Sequence, residues 1–291
     1  MRRPVVIIPA HNRRATTLAC LERLAANGDL GDFDVRVIDD GSTDGTSEEI
    51  ARRHPCVHVE RGDGTLFWGG AIAAGMRSAL RAGPCTLFWL NDDCLPRSGT
   101  LPALAAALEA DPRSIAIPRC VVAETGEVWP NGFVGRRRVT ASAGEILHLD
   151  GASGYCTGIG REVTAELGVV DAERFPHYYA DTAYTLFANR RGFTVRMIGA
   201  LEVELVDPGR EDHLIGDHMI PRRGLWANAR KIFLARKSPF RLRTLFALQQ
   251  VKHGMATGTL TAGVKTAAWL GTLMLHKIRT SEAIEGNQPK G

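Results

Sequence analysis

Apolar and polar positions alternate in blocks over the first 120 residues. Short apolar runs at residues 5–9, 35–39, 56–60, 85–90 and 114–118 predict strands. Residues 16–26, with Leu18, Leu21, Leu24 and Ala25 at helical spacing, predict a helix, as do residues 46–53, 71–82 and 101–109. Ser42 or Thr43 is placed to cap the second of these. The strands are continuous apolar runs rather than period-two alternations, as expected when helices cover both faces of a sheet. Strand and helix in turn predict an α/β fold with a mostly parallel sheet.

The pattern changes after Arg119. Residues 121–150 carry Gly126, Gly132, Gly135 and Gly144 and a basic run at Arg136, Arg137 and Arg138, and read as hairpins or loops. A Gly-rich segment at 151–160 leads to a helix at about 161–167. Residues 181–191 predict another helix, which Gly192 stops. From Pro221 the chain is rich in Arg and Lys and helical in pattern, and residues 281–291 read as a disordered tail. No internal repeat is evident.

With 291 residues the chain can bury a sizeable core, as one large or two small domains. A net charge of +4 is mild, and no nucleic-acid-binding motif appears, so no nucleic-acid partner is expected. The six cysteines lack CxxC spacing and several lie in apolar runs, which fits small buried hydrophobes in a reducing compartment rather than zinc or disulfides. The first apolar run, bracketed by Pro4 and Pro9, is too short for a secretory core. No run of about 20 apolar residues exists. A cytoplasmic protein is expected.

The chemistry concentrates at strand ends. In residues 85–94 an apolar run ends abruptly in Asn91, Asp92 and Asp93. Buried carboxylates are costly unless paired or bound to a cation. The carboxyl ends of strands in an open α/β sheet are where ligands bind. Oxygen donors of this kind suit Mg²⁺ or Mn²⁺ shared with phosphates, and a capped turn explains the same residues. Asp39 and Asp40 end the second strand before a Gly/Ser/Thr turn, either to hold a ribose or base edge or as a plain strand–turn–helix. Asp181 stands at a helix start, as an N-cap or as a general base. The loop at 61–71 lacks the Gly-Lys-Ser/Thr ending of a phosphate loop. Its Gly64, Gly69 and Gly70 allow close approach of a phosphate or sugar, and Trp68 either stacks on a ring or belongs to the core.

Taken together, these motifs resemble family 2 glycosyltransferases of GT-A fold. Val6 to Arg13 looks like the family's opening strand, Asp39 to Thr46 like its nucleotide-binding turn, and Leu90 to Asp93 like its DxD motif with Asn at the first acidic place. Gly62 to Ala71 resembles the donor loop of a rhamnosyltransferase-like subgroup. Gly154 to Gly160 and Tyr179 to Asp181 match the acceptor-side loop and the catalytic-base helix, so the likeness covers about residues 4–200.

The resemblance implies a Rossmann-like, mostly parallel central sheet with helices on both faces and a helical C-terminal extension. Residues 1–120 would form the nucleotide-sugar-binding half, 121–220 the acceptor and catalytic-base half of the same domain, 221–280 the basic extension and 281–291 the tail. Pro9, His11 and Arg13 would line the pocket for uracil or thymine, and Asp39 or Asp40 would hold the base or ribose. Gly64, Trp68, Gly69, Gly70 and Asn91 would complete the donor site. Asp93, with Asp92, would bind Mg²⁺ or Mn²⁺ on the diphosphate, joined by a downstream histidine, His213 or His218. Asp181 would deprotonate the acceptor.

The implied reaction is inverting transfer from a dTDP- or UDP-sugar to a glycan, lipid-linked or small-molecule hydroxyl. The chain departs from the family at Ala180 and Ala183, where many members have acids, so Asp181 is the only acid left at the base motif. A nucleotidyltransferase and a non-catalytic sugar-nucleotide scaffold are the alternatives. The basic residues Arg222, Arg223, Arg230, Lys231, Arg236 and Lys237 face either solvent or the inner face of an anionic membrane, and a homodimer stays open.

Overall fold

The structure is a computed structural model that describes residues 3–207, 214–220 and 224–285, with side chains through Met274. Its residues group into two compact units. One holds the described residues up to Pro176 and from Ala180 to Asp207. The other holds His177–Tyr179 and the described residues from Leu214 onward.

The first unit runs β1 (Val5–Ala10), α1 (Arg14–Asn27), α2 (Asp29–Asp32), β2 (Asp34–Asp39), α3 (Thr46–Arg53), β3 (His58–Arg61), α4 (Phe67–Leu80), β4 (Leu87–Leu90), β5 (Cys94–Pro96), α5 (Thr100–Ala110) and β6 (Ser114–Val122). There follow β7 (Val128–Trp129), β8 (Gly132–Val134), β9 (Arg137–Val139), β10 (Ile146–His148), β11 (Gly151–Ala152), β12 (Cys156–Ile159), α6 (Arg161–Leu167), α7 (Ala180–Arg190) and β13 (Thr194–Leu205). The second unit contains a 3₁₀ turn (Ile215–His218), α8 (Leu225–Leu234), α9 (Leu242–His253) and α10 (Met255–Glu285).

The main sheet has the order β10-β13-β6-β12-β4-β1-β2-β3, with β5 added to β13 and β7 to β6. β1 to β4 are mutually parallel, and β13 is parallel to β6. β12 runs antiparallel to both β4 and β6, so those two share a direction: six strands of this mixed sheet run the same way, and β5, β7, β10 and β12 run against them. The reversed strand in its middle is the departure from a plain alternating fold. Residues 156–159 read as part of a Gly-rich loop because Gly158 hides the strand pattern. A Cβ there would lie 2.7 Å from Leu108 and 2.8 Å from Phe88, so only glycine fits.

β13 is the other strand that the pattern does not show. Its buried Val195, Met197, Val203 and Leu205 alternate with Arg196, Glu202 and Glu204, and its register shifts between Ile198 and Glu202. The shift carries Gly199, whose missing Cβ lets the strand pass Ser142. Residues 121–150, expected as hairpins or loops, hold two hairpins: β7 folds back on β6, and β8 pairs with β9. β8 and β9 join β11 in a separate small sheet, while β10 pairs with β13.

Each face of the sheet is covered, which explains the unbroken apolar runs. Ile7, Ile38, Trp89, Ile115 and Ile117 pack on one side with Ile72 and Met76 of α4. Val6, Ile8, Val37, Phe88 and Leu90 pack on the other with Leu18, Leu21 and Leu24 of α1 and Leu101, Leu104 and Leu108 of α5. α4 starts at Phe67, four residues before the apolar pattern suggests, so Gly69 and Gly70 lie in its first turn rather than in a loop. At the far end of the chain α10 continues through Glu285, which makes the first five residues of the expected tail helical. Residues 286–291 lie outside the described residues.

Contact between α4 and the sheet depends on Gly75. A Cβ there would meet Ile7 Cγ2 at 2.5 Å and Ile38 Cγ1 at 3.2 Å. Gly75→Ala should therefore destabilise the protein by about 1–3 kcal/mol through overpacking. Urea unfolding measures it; an unchanged midpoint would mean that α4 sits farther from β1.

Candidate active site

The strand ends of β1, β2 and β4 lie side by side, and the loops leaving them bind one another. The His11 ring hydrogen-bonds through Nδ1 to the Asp40 carbonyl at 2.6 Å, which places the proton on Nδ1. Asn12 adopts a left-handed φ of 52°, donates its backbone N–H to Ser42 Oγ at 2.8 Å and accepts from Thr43 N at 2.8 Å. His11, Asn12 and Arg13 are exposed, and Pro9 is half-buried inside β1.

Asp39 and Asp40 do not face this exposed rim. Asp39 is fully buried and accepts from Ser42 N at 2.9 Å and from the Ser47 hydroxyl, so it shapes the turn. Asp40 is also buried and accepts from the amides of Gly64 (2.9 Å), Leu66 (3.1 Å) and Phe67 (2.8 Å). A carboxylate from one loop thereby satisfies donors at the start of α4, where helix N–H groups lack internal partners. Both carboxylates assigned to base or ribose are turned onto their own chain, because burial demands donors and these amides are the nearest.

The end of β4 divides its three polar residues among different partners. Asn91 Oδ1 accepts from Trp68 Nε1 at 2.7 Å. Asp92 is buried; its carboxylate meets Arg13 at 3.1 Å and accepts from Thr17 Oγ1 at 2.9 Å. Burial pushes the Asp92 carboxyl up to about 6 against the opposing pull of Arg13. Asp93 is less buried and meets the other Arg13 nitrogen at 3.1 Å. Arg13, expected to line a base pocket, therefore bridges the two acids. Its guanidinium is the only kind of side chain here with a fork wide enough to reach both.

Asp181 is the second residue of α7 rather than its N-cap, so the cap reading fails. Its carboxylate accepts from Gly154 N at 2.5 Å and Thr182 N at 2.7 Å. Burial raises its pKa, and those two amides oppose the rise. Gly154 is where Trp68 and Asp181 meet: a Cβ there would lie 2.8 Å from the Trp68 ring and 2.9 Å from Asp181 Cβ. Trp68 also packs edge-on against Trp89, with centroids 6.0 Å apart. Trp68 thus joins the β4 end, through Asn91, to the start of α7.

The glycines of the 61–71 loop serve packing within the chain. Gly64 has φ 85° and gives its amide to Asp40. Gly69 donates to Pro176 O at 2.8 Å, and a Cβ on it would fall 2.1 Å from Phe175 O. Gly70 faces Leu66. The expectation that Gly69 and Gly70 open space for a ligand is corrected for Gly69 by backbone at Phe175 and Pro176, while the space beside Gly70 is taken by the Leu66 side chain. Of the two histidines considered for a metal, His213 lies outside the described residues. His218 belongs to the second unit, its ring 5.4 Å from Phe240.

Among the described residues no group of three or more His, Cys, Asp or Glu side chains is arranged to enclose a metal. The donor chemistry at Asp93 still fits a hard divalent cation, because such ions are held by one or two carboxylates with substrate phosphates supplying further oxygens. Thr17, which anchors Asp92 from α1, was not anticipated. A threonine within an apolar helix face was the available signal.

A family model described as glycosyl transferase family 2 matches residues 5–168. The chain belongs to that family. The match takes in the loops after β1, β2 and β4 and stops before Asp181. No curated protein matches the sequence. Among solved structures, the chain is similar to GalNAc-T7 crystallised with UDP, GalNAc and Mn²⁺, at 18% identity and a TM-score of 0.58. That likeness covers 73% of this chain and 45% of that one, so the chain spans less than half of GalNAc-T7 in that structure. It is also similar to the mannosyltransferase PcManGT from Pyrobaculum calidifontis in complex with GDP-Man and Mn²⁺, at 19% identity and a TM-score of 0.54, over 99% of this chain and 81% of that one. At such identities the shared feature is the fold.

Asp40→Ala would strand the three amides that it now satisfies, and should cost about 3 kcal/mol of stability. Denaturant unfolding checks this. An unchanged midpoint would show that the 62–67 loop holds its shape without the carboxylate.

Proposed function

We propose that this family 2 protein is an inverting glycosyltransferase. It moves a sugar from a dTDP- or UDP-sugar, dTDP-rhamnose being favoured, to a hydroxyl of a glycan, lipid-linked or small-molecule acceptor. The observation that carries the reading is the Asn91–Trp68–Gly154–Asp181 chain of contacts, which sets one half-buried carboxylate beside the DxD-like segment. The nucleotides and Mn²⁺ bound by GalNAc-T7 and PcManGT support a nucleotide-sugar donor and a divalent ion. Their bases differ, so the choice of dTDP or UDP rests on the loops of this chain.

In this reading Asp93 would hold Mg²⁺ or Mn²⁺ together with the diphosphate, and the ion would offset charge on the departing group. Arg13, already over Asp92 and Asp93, adds positive charge at the same place. Asp92 stays a brace, since Thr17 and Arg13 occupy its oxygens. Trp68 presents the face of its half-buried ring to the sugar or base. Asp181 takes the proton from the acceptor hydroxyl, and its raised pKa makes it a better base than an ordinary carboxylate. A single base acting opposite the leaving group inverts the anomeric centre. Peripheral contact of the basic C-terminal helices with the inner face of a membrane fits a lipid-linked acceptor.

Asp181→Asn should lower turnover by about 10²–10⁴-fold while leaving nucleotide-sugar binding intact. Activity should fall with decreasing pH, because Asp181 must be ionised, and the fall should lie above the ordinary carboxylate range. A pH–kcat profile tests both points; an unchanged rate in the variant removes Asp181 as the base.

A thermal-shift panel of UDP-, dTDP-, GDP- and CMP-sugars, each with Mn²⁺ and with EDTA, should give a metal-dependent stabilisation with dTDP- or UDP-sugars. At a hundredfold excess over Kd the gain is about 2.7 kcal/mol. A shift with GDP- or CMP-sugars alone would overturn the donor assignment.

A further inference from the structure

Between His218 and Ser281 the sequence holds twelve Lys and Arg residues and no Asp or Glu, whereas the whole chain carries a net charge of only +4. The positive charge is concentrated in this segment, and the rest of the chain is net acidic. Solvated helix faces ordinarily mix both signs.

The second unit also leaves large apolar side chains in water. α8 buries Asn228, Ile232 and Phe233, and Phe233 stacks on Trp269 of α10 with centroids 6.5 Å apart. Its exposed side carries Trp226, Arg230 and Leu234 at successive four-residue steps, with Lys231 alongside. Trp226 is 87% exposed and Leu234 62%. Arg236 and Lys237 follow directly, both exposed. α10 buries Ala262 and Leu273 but exposes Leu260, Val264, Leu270 and Met274.

An exposed indole, an uncovered apolar stripe and the acid-free basic run between His218 and Ser281 coincide in one unit, whose exposed Asp217 lies just before that run. Indole rings settle at the level of lipid headgroups, and Lys and Arg lay their stems along apolar surface while their charged ends reach phosphate. Anionic leaflets attract such basic segments. Among the described residues no helix is long and apolar enough to cross a membrane, so the contact these features suit lies on the surface.

We infer that the second unit docks on an anionic phospholipid surface through the exposed faces of α8 and α10. Trp226 enters the headgroup layer, and Arg230, Lys231, Arg236 and Lys237 pair with lipid phosphates. This surface rests on the proposed peripheral membrane contact for its role and is independent of the transfer chemistry.

The test is sedimentation of the full chain with vesicles of phosphatidylcholine alone or mixed with phosphatidylglycerol, at low and high salt. The protein should sediment with the mixed vesicles and be released by salt. Trp226→Ala, and Arg230→Glu combined with Lys231→Glu, should each weaken binding about tenfold or more, with thermal unfolding unchanged because all three side chains are exposed. No binding by the folded chain, equal binding to pure phosphatidylcholine, or full binding by the variants would overturn it. So would a dimer that Trp226→Ala dissociates in the absence of vesicle binding, which would assign the face to a second copy. Sedimentation needs neither donor nor acceptor. A chain that sediments without transferring sugar overturns only the proposed chemistry, and one that transfers without sedimenting overturns this surface and the proposed membrane contact but leaves the chemistry standing.

Discussion

Carboxylates gathered at the end of a buried sheet must be neutralised where they stand, and the site in the first unit is organised around that need. Asp39, Asp40 and Asp92 are all nearly inaccessible, and each has found donors within the chain. Asp39 closes its own turn through Ser42 and Ser47. Asp40 takes the amides of Gly64, Leu66 and Phe67 and so fixes where α4 begins. Asp92 takes Arg13 and Thr17 and so ties β4 to α1. Three costly groups become three fastenings, one within a turn and two between loops that are distant in sequence. Asp93 is left as the more accessible acid, its charge shared with Arg13.

Close backbone approach is the second constraint. Gly154 permits Trp68 and Asp181 to meet, Gly69 permits α4 to reach the chain at Phe175, and Gly158 permits β12 to lie against Phe88 and Leu108. In each case a single methyl group would collide with backbone or core, so the sheet and the site share one set of tolerances. The Trp68 indole then transmits the position of β4 to α7. Its nitrogen is held by Asn91 and its ring edge lies against Gly154. This gives a physical reason for Asn at the first acidic place of the DxD-like segment: an amide oxygen accepts from the indole without adding a third charge beside Asp92 and Asp93.

The second unit follows different rules. In its small core of Ile215, Ile232, Phe233, Phe240 and Leu273, Phe233 of α8 and Phe240, just before α9, both meet Trp269 of α10. The apolar residues that this core does not use remain exposed, in a segment where basic side chains far outnumber acids. Ordinary surfaces expose single hydrophobic residues, but not an indole and an apolar helix stripe beside a long run of positive charge.

Much of this was legible in the chain itself. Continuous apolar runs specified strands covered on both faces, and the helical spacing of Leu18, Leu21 and Leu24 specified the layer that covers one of them. The acids at strand ends marked the site, because few structural roles place carboxylates there. Pattern alone did not reveal β12 or β13, whose glycines and charged positions break the periodicity that local reading depends on. Nor did it tell which acid faces outward. Asp39, Asp40, Asp92 and Asp93 are alike in sequence, and their roles diverge only when amides, hydroxyls and a guanidinium, from their own turns and from other loops, reach them to different degrees. The same holds for Gly69 and Gly70, which local reading assigns to a ligand and the fold sets against the backbone at Phe175 and the Leu66 side chain. The sequence determined the elements and the edge at which chemistry gathers, since these follow from local periodicity and the cost of burying charge. Only the tertiary structure decided which residues remain available for chemistry, because availability depends on partners brought from elsewhere in the chain.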